Sequence, residues 1–276
     1  MAVLPGADAV AQHQSVGFGA GFDYAAGSPH LRHHGLRQRV VEACQRQVAE
    51  ALARSGRARV LEIGAGHGAF TEHVAALGAE VWVTEMSEAS AEVLAARFTH
   101  NDRVHVVHDP DGSAAAEVPE VDVVLAISVL HHIPDYLAAV SALLPRIAPG
   151  GAFVSYQDPL WYPRRSALSM AVDRGAYMLW RVGRGDLRRG FASVLRRARG
   201  AYDESNPSDM VEYHVVRQGV DEDALAALLR PAFVDVRLDR YWSTQAGWLQ
   251  HLGERVGPAT TFGVMATTRL DDRSPG

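Results

Sequence analysis

Lysine is absent from the 276 residues, and all 27 basic residues are arginine. A chain without lysine has no Schiff-base nucleophile and no P-loop lysine. Cysteine is almost absent: Cys44 stands alone, which excludes an internal disulfide and a thiolate metal cluster. Its place in a helical stretch marks it as a small buried hydrophobe. Basic surplus is missing too, since the net charge is −5. Nucleic acid is therefore not an expected partner. No apolar run reaches the roughly 18 residues of a spanning helix, and no basic segment followed by a hydrophobic block opens the chain. No membrane partner and a cytoplasmic location are expected. What is present is ordinary globular material, 47% hydrophobic and 21% charged, enough for one sizeable core plus a modest insertion.

Residues 1–20 are Ala/Gly-rich and aperiodic and read as a flexible tail. Residues 21–58 read as an N-terminal helical cap, because Leu36, Val40, Val41, Cys44, Val48, Ala51 and Leu52 recur at helical spacing between Leu36 and Arg54. The pattern then changes to short apolar runs separated by helical ones. Arg59–Ile63, Val81–Thr84, Val104–Val107, Val121–Ile127 and Ala152–Tyr156 are the strand candidates, giving a core over 59–157. Such alternation predicts a parallel sheet with helices on both faces. Residues 158–220 break the rhythm with seven arginines from Arg181 to Arg199 and the polar cluster Asp203 to Asp209, and read as an inserted lid. Residues 221–276 return to the core with a helix from Asp221 to Leu229 and strands over Phe233–Leu238 and Thr261–Thr268.

The stretch Val60-Leu61-Glu62-Ile63-Gly64-Ala65-Gly66-His67-Gly68-Ala69-Phe70 is a buried-strand pattern running into a glycine-rich turn and then a helix. Glycine there permits positive φ and close approach of a ligand to the backbone. Gly64-x-Gly66-x-x-Ala69 also fits a permissive dinucleotide fingerprint, so the turn alone does not choose between nucleoside cofactors. Glu85 follows the second strand, where a carboxylate accepts both hydrogen bonds of a ribose diol. Asp109 follows the third, where a carboxylate meets an adenine amino group.

Taken together, these stretches resemble the class I S-adenosylmethionine-dependent methyltransferases over about Arg59 to Thr268. The family's first motif is similar to Glu62-x-Gly64-x-Gly66-x-Gly68. The resemblance continues through Glu85, Asp109, Ser128-Val129-Leu130-His131-His132-Ile133-Pro134-Asp135, and Leu144-Pro145-Arg146-Ile147-Ala148-Pro149-Gly150-Gly151 before the fifth strand. It implies an α/β fold, a Rossmann-like doubly wound seven-stranded sheet, mostly parallel with an antiparallel C-terminal edge, carrying a helical lid insertion. It implies S-adenosyl-L-methionine as cofactor and S-adenosyl-L-homocysteine as product. Glu62, Gly64, Ala65, Gly66, Gly68, Glu85, Met86, Asp109, Pro110, Ile127 and Ser128 are the implied cofactor residues, with the methionine end over the glycine turn. Tyr24 and Arg32 are implied as an N-terminal segment closing over it; a plain Ser-Pro helix start is the alternative.

The Leu-His-His-x-Pro-Asp stretch, with Asp158 after strand five, is similar to that of sugar O-methyltransferases of glycoside natural products. This implies His131 or His132 as general base and Asp158 as its orienting partner. A loop cap or cofactor packing for the histidines, and a turn cap before Pro159 for Asp158, stand as alternatives. A solvated imidazole would make activity rise with pH near about 6.5. Tyr156, Trp161 and Tyr162 are expected to stack on an acceptor or a sulfonium, with core packing as the alternative. His214 would reach the site if the insertion folds over it, as would His33 and His34 if the N-terminal segment does. No metal ligands are assigned. The expected function is methyl transfer to a small-molecule acceptor in natural-product metabolism, with O-methylation favoured. C- or N-methylation, a cyclase on the same fold and a non-catalytic nucleoside-binding protein are the other readings. The acceptor, its methylated atom and a homodimer are left open.

Overall fold

The computed structural model describes residues 27–183 and 219–271. The expectations for Tyr24, His214, residues 1–20 and most of the arginine-rich stretch lie outside the described residues. Seven strands, β1 (Arg59–Ile63), β2 (Glu80–Glu85), β3 (Val104–His108), β4 (Val121–Ile127), β5 (Ile147–Pro159), β6 (Phe233–Tyr241) and β7 (Thr261–Arg269), form one sheet in the order β3-β2-β1-β4-β5-β7-β6. The first five are parallel. β7 runs antiparallel to β5 and to β6, giving the antiparallel C-terminal edge.

Two hydrophobic clusters, one on each face, explain why the strands read as apolar runs and not as alternating ones. β4 lies at the centre and is buried along its whole length. Its one charged residue, Asp122, is satisfied by Arg54 Nη2 at 2.9 Å and the Arg59 N–H at 2.9 Å. One face is covered by α2 (His34–Ser55), whose buried Leu36, Val40, Ala43, Cys44, Val48 and Ala51 form a helical stripe. It is preceded by a single turn, α1 (Pro29–Arg32), and followed along the chain by α3 (Thr71–Ala75), α4 (Glu88–Arg97) and α5 (Tyr136–Leu143). Among the described residues, the remaining α-helices are α6 (Ala167–Gly183), α7 (Glu222–Leu229) and α8 (Gly247–Val256).

Two features differ from the sequence expectation. Pro149-Gly150-Gly151 is not a turn before β5: it lies inside the strand, at a register shift between Val121 and Val123 of β4. A Cβ on Gly151 would stand 2.6 Å from the Asp122 carbonyl oxygen, so the close approach of two strands requires glycine there. The second is α8, which the sequence reading left out. Its apolar residues Leu249, Leu252 and Val256 face Leu168, Val172 and Leu179 of α6 across a groove of about 580 Å³ floored by Trp242. Because β6 runs in the direction of the parallel strands, Trp242 marks their carboxyl edge. Leu160 and Val220 are bridged side by side, and the Val220 N–H donates to the Pro159 carbonyl at 3.0 Å. The chain thus leaves and re-enters the core at one place on that edge.

Candidate active site

The strand order reverses between β1 and β4, so the carboxyl ends of these two strands open the crevice where α/β sheets take ligands. Gly64, Gly66 and Gly68 follow β1 with φ of 62°, 57° and 77°. A Cβ on Gly64 would come within 2.3 Å of Val129 Cγ2, which locks the turn against the loop after β4. The Gly64 N–H donates to the Thr84 carbonyl at 2.8 Å.

Glu85, at the end of β2, is buried, and its carboxylate binds the turn directly. Oε2 accepts the Gly66 N–H at 2.8 Å and Oε1 the Ser87 N–H at 3.0 Å. Burial pushes its carboxyl above the usual range, opposed by these N–H bonds. Asp109 is likewise buried and raised by burial; Oδ1 and Oδ2 accept the N–H groups of Ala114 and Ala115 at 3.0 and 3.1 Å. Glu62 is fully buried beneath the turn, where it accepts the Thr71 hydroxyl at 2.6 Å. Burial raises it to about 7, and its bond ties β1 to α3. Ala65 and Met86 are half-buried, Pro110 is exposed, and the Met86 carbonyl lies 3.2 Å from His108 Nε2. Ile127 is a core residue. Arg32 is exposed on α1.

Ser128 turns the chain after β4 with a φ of 56°, its N–H donating to the Tyr156 carbonyl at 2.7 Å. The loop then presents His131 and His132, whose rings lie tilted at 43° to each other with centroids 4.0 Å apart. His131 Nδ1 lies 2.7 Å from Asp158 Oδ1, and the same oxygen accepts the His131 backbone N–H at 3.1 Å. The Ser155 hydroxyl donates to Oδ2 at 3.2 Å.

This contact depends on a bulge. Gln157 has a φ of 71° and the β5–β7 register shifts between Tyr156 and Asp158. In a regular strand, side chains three apart point to opposite faces; the extra residue brings Ser155 and Asp158 together. Gln157 is held by Ser243 Oγ at 2.6 Å and Tyr241 Oη at 3.2 Å. Asp158 therefore meets the loop after β4 through both the backbone and the ring of His131. The Asp158 carboxyl is wholly buried and pushed up to about 7 by burial. Burial, with His30 nearby adding to it, lowers His131 to about 3. Burial thus favours the neutral ring.

Tyr156 is placed in the core and not at an acceptor: it belongs to the cluster under α2, and its ring lies where a Cβ on Gly263 would be 2.3 Å away. Trp161 and Tyr162 follow β5 at the base of the insertion. The Trp161 N–H donates to Glu222 Oε2 at 3.2 Å, and the Arg165 guanidinium lies 5.4 Å from the Tyr162 ring centre. His33 reaches the Thr244 carbonyl at 2.8 Å, and His34 is exposed. Ser155 and Gln157 were not singled out from the sequence, and neither was His30, which is buried against Phe70.

The donor set fits a nucleoside cofactor. Glu85 and Asp109 are acceptor-only groups, when ionised, on neighbouring strand ends, and each keeps lone-pair capacity beyond its backbone partners. A ribose diol and an exocyclic amine present the matching donors. No cluster of metal-binding side chains occurs among the described residues.

Comparison with known proteins agrees. Ubiquinone biosynthesis O-methyltransferases of Aromatoleum aromaticum and Xanthomonas campestris pv. campestris are similar, the first 35% identical over 95 residues and the second 36% over 110. These matches cover 34% and 38% of this chain and 41% and 44% of the relatives, so the chain spans about two-fifths of their length. Among solved structures, the N-methyltransferase NodS of Bradyrhizobium japonicum with S-adenosylhomocysteine aligns with a TM-score of 0.51 at 13% identity, covering 95% of this chain and 99% of that one. The Haemonchus contortus phosphoethanolamine N-methyltransferase 2 with S-adenosylmethionine aligns at 0.52 and 15%, covering 96% and 57%. At such identities the likeness concerns the fold. A family model described as a methyltransferase domain matches residues 33–193, more than half of the 276. The chain belongs to the methyltransferase domain family, of the class I S-adenosylmethionine-dependent kind.

Proposed function

We propose that this protein transfers the methyl group of S-adenosylmethionine to a hydroxyl of a small molecule, with His131 as general base and Asp158 as its orienting partner. The observation that carries the reading is the 2.7 Å contact of His131 Nδ1 with the buried Asp158 at the carboxyl edge. When bound, S-adenosylmethionine supplies an electrophilic methyl carbon. Glu85 accepts the ribose hydroxyls and Asp109 the adenine amino group, while Gly64 and Gly66 leave the backbone open to the rest. Asp158 holds the ring hydrogen on Nδ1, so Nε2 takes the hydroxyl proton as the acceptor oxygen attacks. The carboxylate then stabilises the imidazolium that forms. The His132 ring packs against the base at a tilt, centroids 4.0 Å apart.

The names of the curated relatives support O-methylation. A natural-product setting has no support from them and remains an expectation from the Leu-His-His-x-Pro-Asp resemblance. Trp161 and Tyr162 follow β5 at the carboxyl edge, which supports the first described residues of the insertion as a wall of the acceptor pocket. Incubation with methyl-labelled S-adenosylmethionine and a panel of catechols, phenols and glycosides tests the reading. Label on oxygen is the expected product; label on nitrogen or carbon alone would refute it.

A further inference from the structure

His30 is only 6% exposed, in the single turn α1. Its ring stacks on Phe70, centroids 5.7 Å apart, where the glycine turn passes into α3. Its Nδ1 is buried and has no hydrogen-bond partner among the described residues. Leaving a buried nitrogen unpaired costs free energy, and a phenylalanine would fill the same place without that cost. The turn is also anchored. The His33 N–H donates to the Pro29 carbonyl at 2.9 Å, and the His33 ring meets the Thr244 carbonyl at 2.8 Å. The fold thus holds the buried nitrogen in place without supplying it a partner among the described residues.

The sheet order gives the line along which a bound cofactor would run. Asp109, Glu85, Gly64 and Ser128 follow β3, β2, β1 and β4, which are neighbours in this order along one edge. With the nucleoside on Asp109 and Glu85, the remainder of the cofactor runs over β1 toward β4. His30 stacks on Phe70, which follows the glycine turn after β1, and is close enough to His131 in the loop after β4 for the charges of the two rings to interact. We propose that His30 binds the α-amino acid end of S-adenosylmethionine through Nδ1, an inference that rests on the cofactor reading above. The neutral ring suits either charged group there: Nδ1–H donates to the carboxylate, and the other tautomer accepts from the ammonium.

Calorimetric titration of S-adenosylhomocysteine and of adenosine, which lacks the amino acid end, tests this in wild type, His30→Phe and His30→Asn. Phenylalanine keeps the stack without the nitrogen, and asparagine restores a polar atom near Nδ1. His30→Phe is expected to weaken S-adenosylhomocysteine by about tenfold or more, leave adenosine unchanged and raise the melting temperature of the unliganded protein. His30→Asn is expected to recover part of the affinity. Unchanged S-adenosylhomocysteine binding in His30→Phe would overturn the proposal, as would equal weakening of both compounds or a lowered melting temperature. A wild type that binds neither compound would overturn the cofactor reading, and the inference with it.

Discussion

Asp158 Oδ1 accepts the backbone N–H of His131 at 3.1 Å and faces the ring Nδ1 of the same residue at 2.7 Å. One carboxylate oxygen thus fixes both the loop after β4 and the plane of its imidazole. This gives the dyad a pH dependence opposite in origin to that of a solvated histidine. Below about 7 Asp158 keeps its proton and donates it to Nδ1, so the neutral ring carries its hydrogen on Nε2 and is not a base. Above that value the carboxylate is ionised, the hydrogen sits on Nδ1 and Nε2 accepts a proton. Turnover is expected to rise with pH through about 7, and Asp158→Asn to abolish that rise. A rise that persists unchanged in Asp158→Asn would contradict the assignment to this carboxyl.

Glu85 serves the turn and the cofactor at once. Glutamine keeps its size but replaces one acceptor oxygen by a donor, which must face Gly66, Ser87 or the ribose. Glu85→Gln is expected to weaken S-adenosylhomocysteine by about tenfold or more, since each tenfold is about 1.4 kcal/mol and charge-assisted bonds carry more than that. Isothermal calorimetry with unchanged affinity would remove Glu85 from the cofactor site.

Gly64 combines a φ of 62° with a would-be Cβ 2.3 Å from Val129. Gly64→Ala is expected to lower stability by about 1–3 kcal/mol through strain and overpacking. It should also lower cofactor affinity, because Val129 and the loop bearing His131 must shift. Urea unfolding and calorimetry on the same variant check both. A variant as stable as wild type would show that the turn accommodates a side chain.

Much of this was legible in the sequence. Buried strands such as Val121–Ile127 declare themselves as apolar runs, and Glu85 and Asp109 follow theirs directly. What stayed hidden depends on tertiary packing. Nothing local marks Gln157 as the bulge that brings Asp158 beside Ser155; its left-handed backbone is set by Tyr241 and Ser243, 84 and 86 residues away. Tyr156 looked like a site aromatic because β5 ends at the site, yet pleat alternation sends it under α2. The helix α8 has its apolar Leu249, Leu252 and Val256 at helical spacing, but it is short and carries the helix-weakening Gly247 and Gly253. His30 was one of thirteen histidines, and only its burial against Phe70 separates it from the rest.

The central claim is that His131, oriented by Asp158, removes the acceptor proton. The most direct test is the rate of methyl transfer from labelled S-adenosylmethionine by His131→Gln, at a pH where wild type is fully active. S-adenosylhomocysteine affinity is measured on the same preparations. A fall in turnover of about 10²–10⁴-fold with cofactor affinity intact is the predicted result. Wild-type turnover in His131→Gln would contradict it and leave alignment of an already ionised acceptor as the source of catalysis.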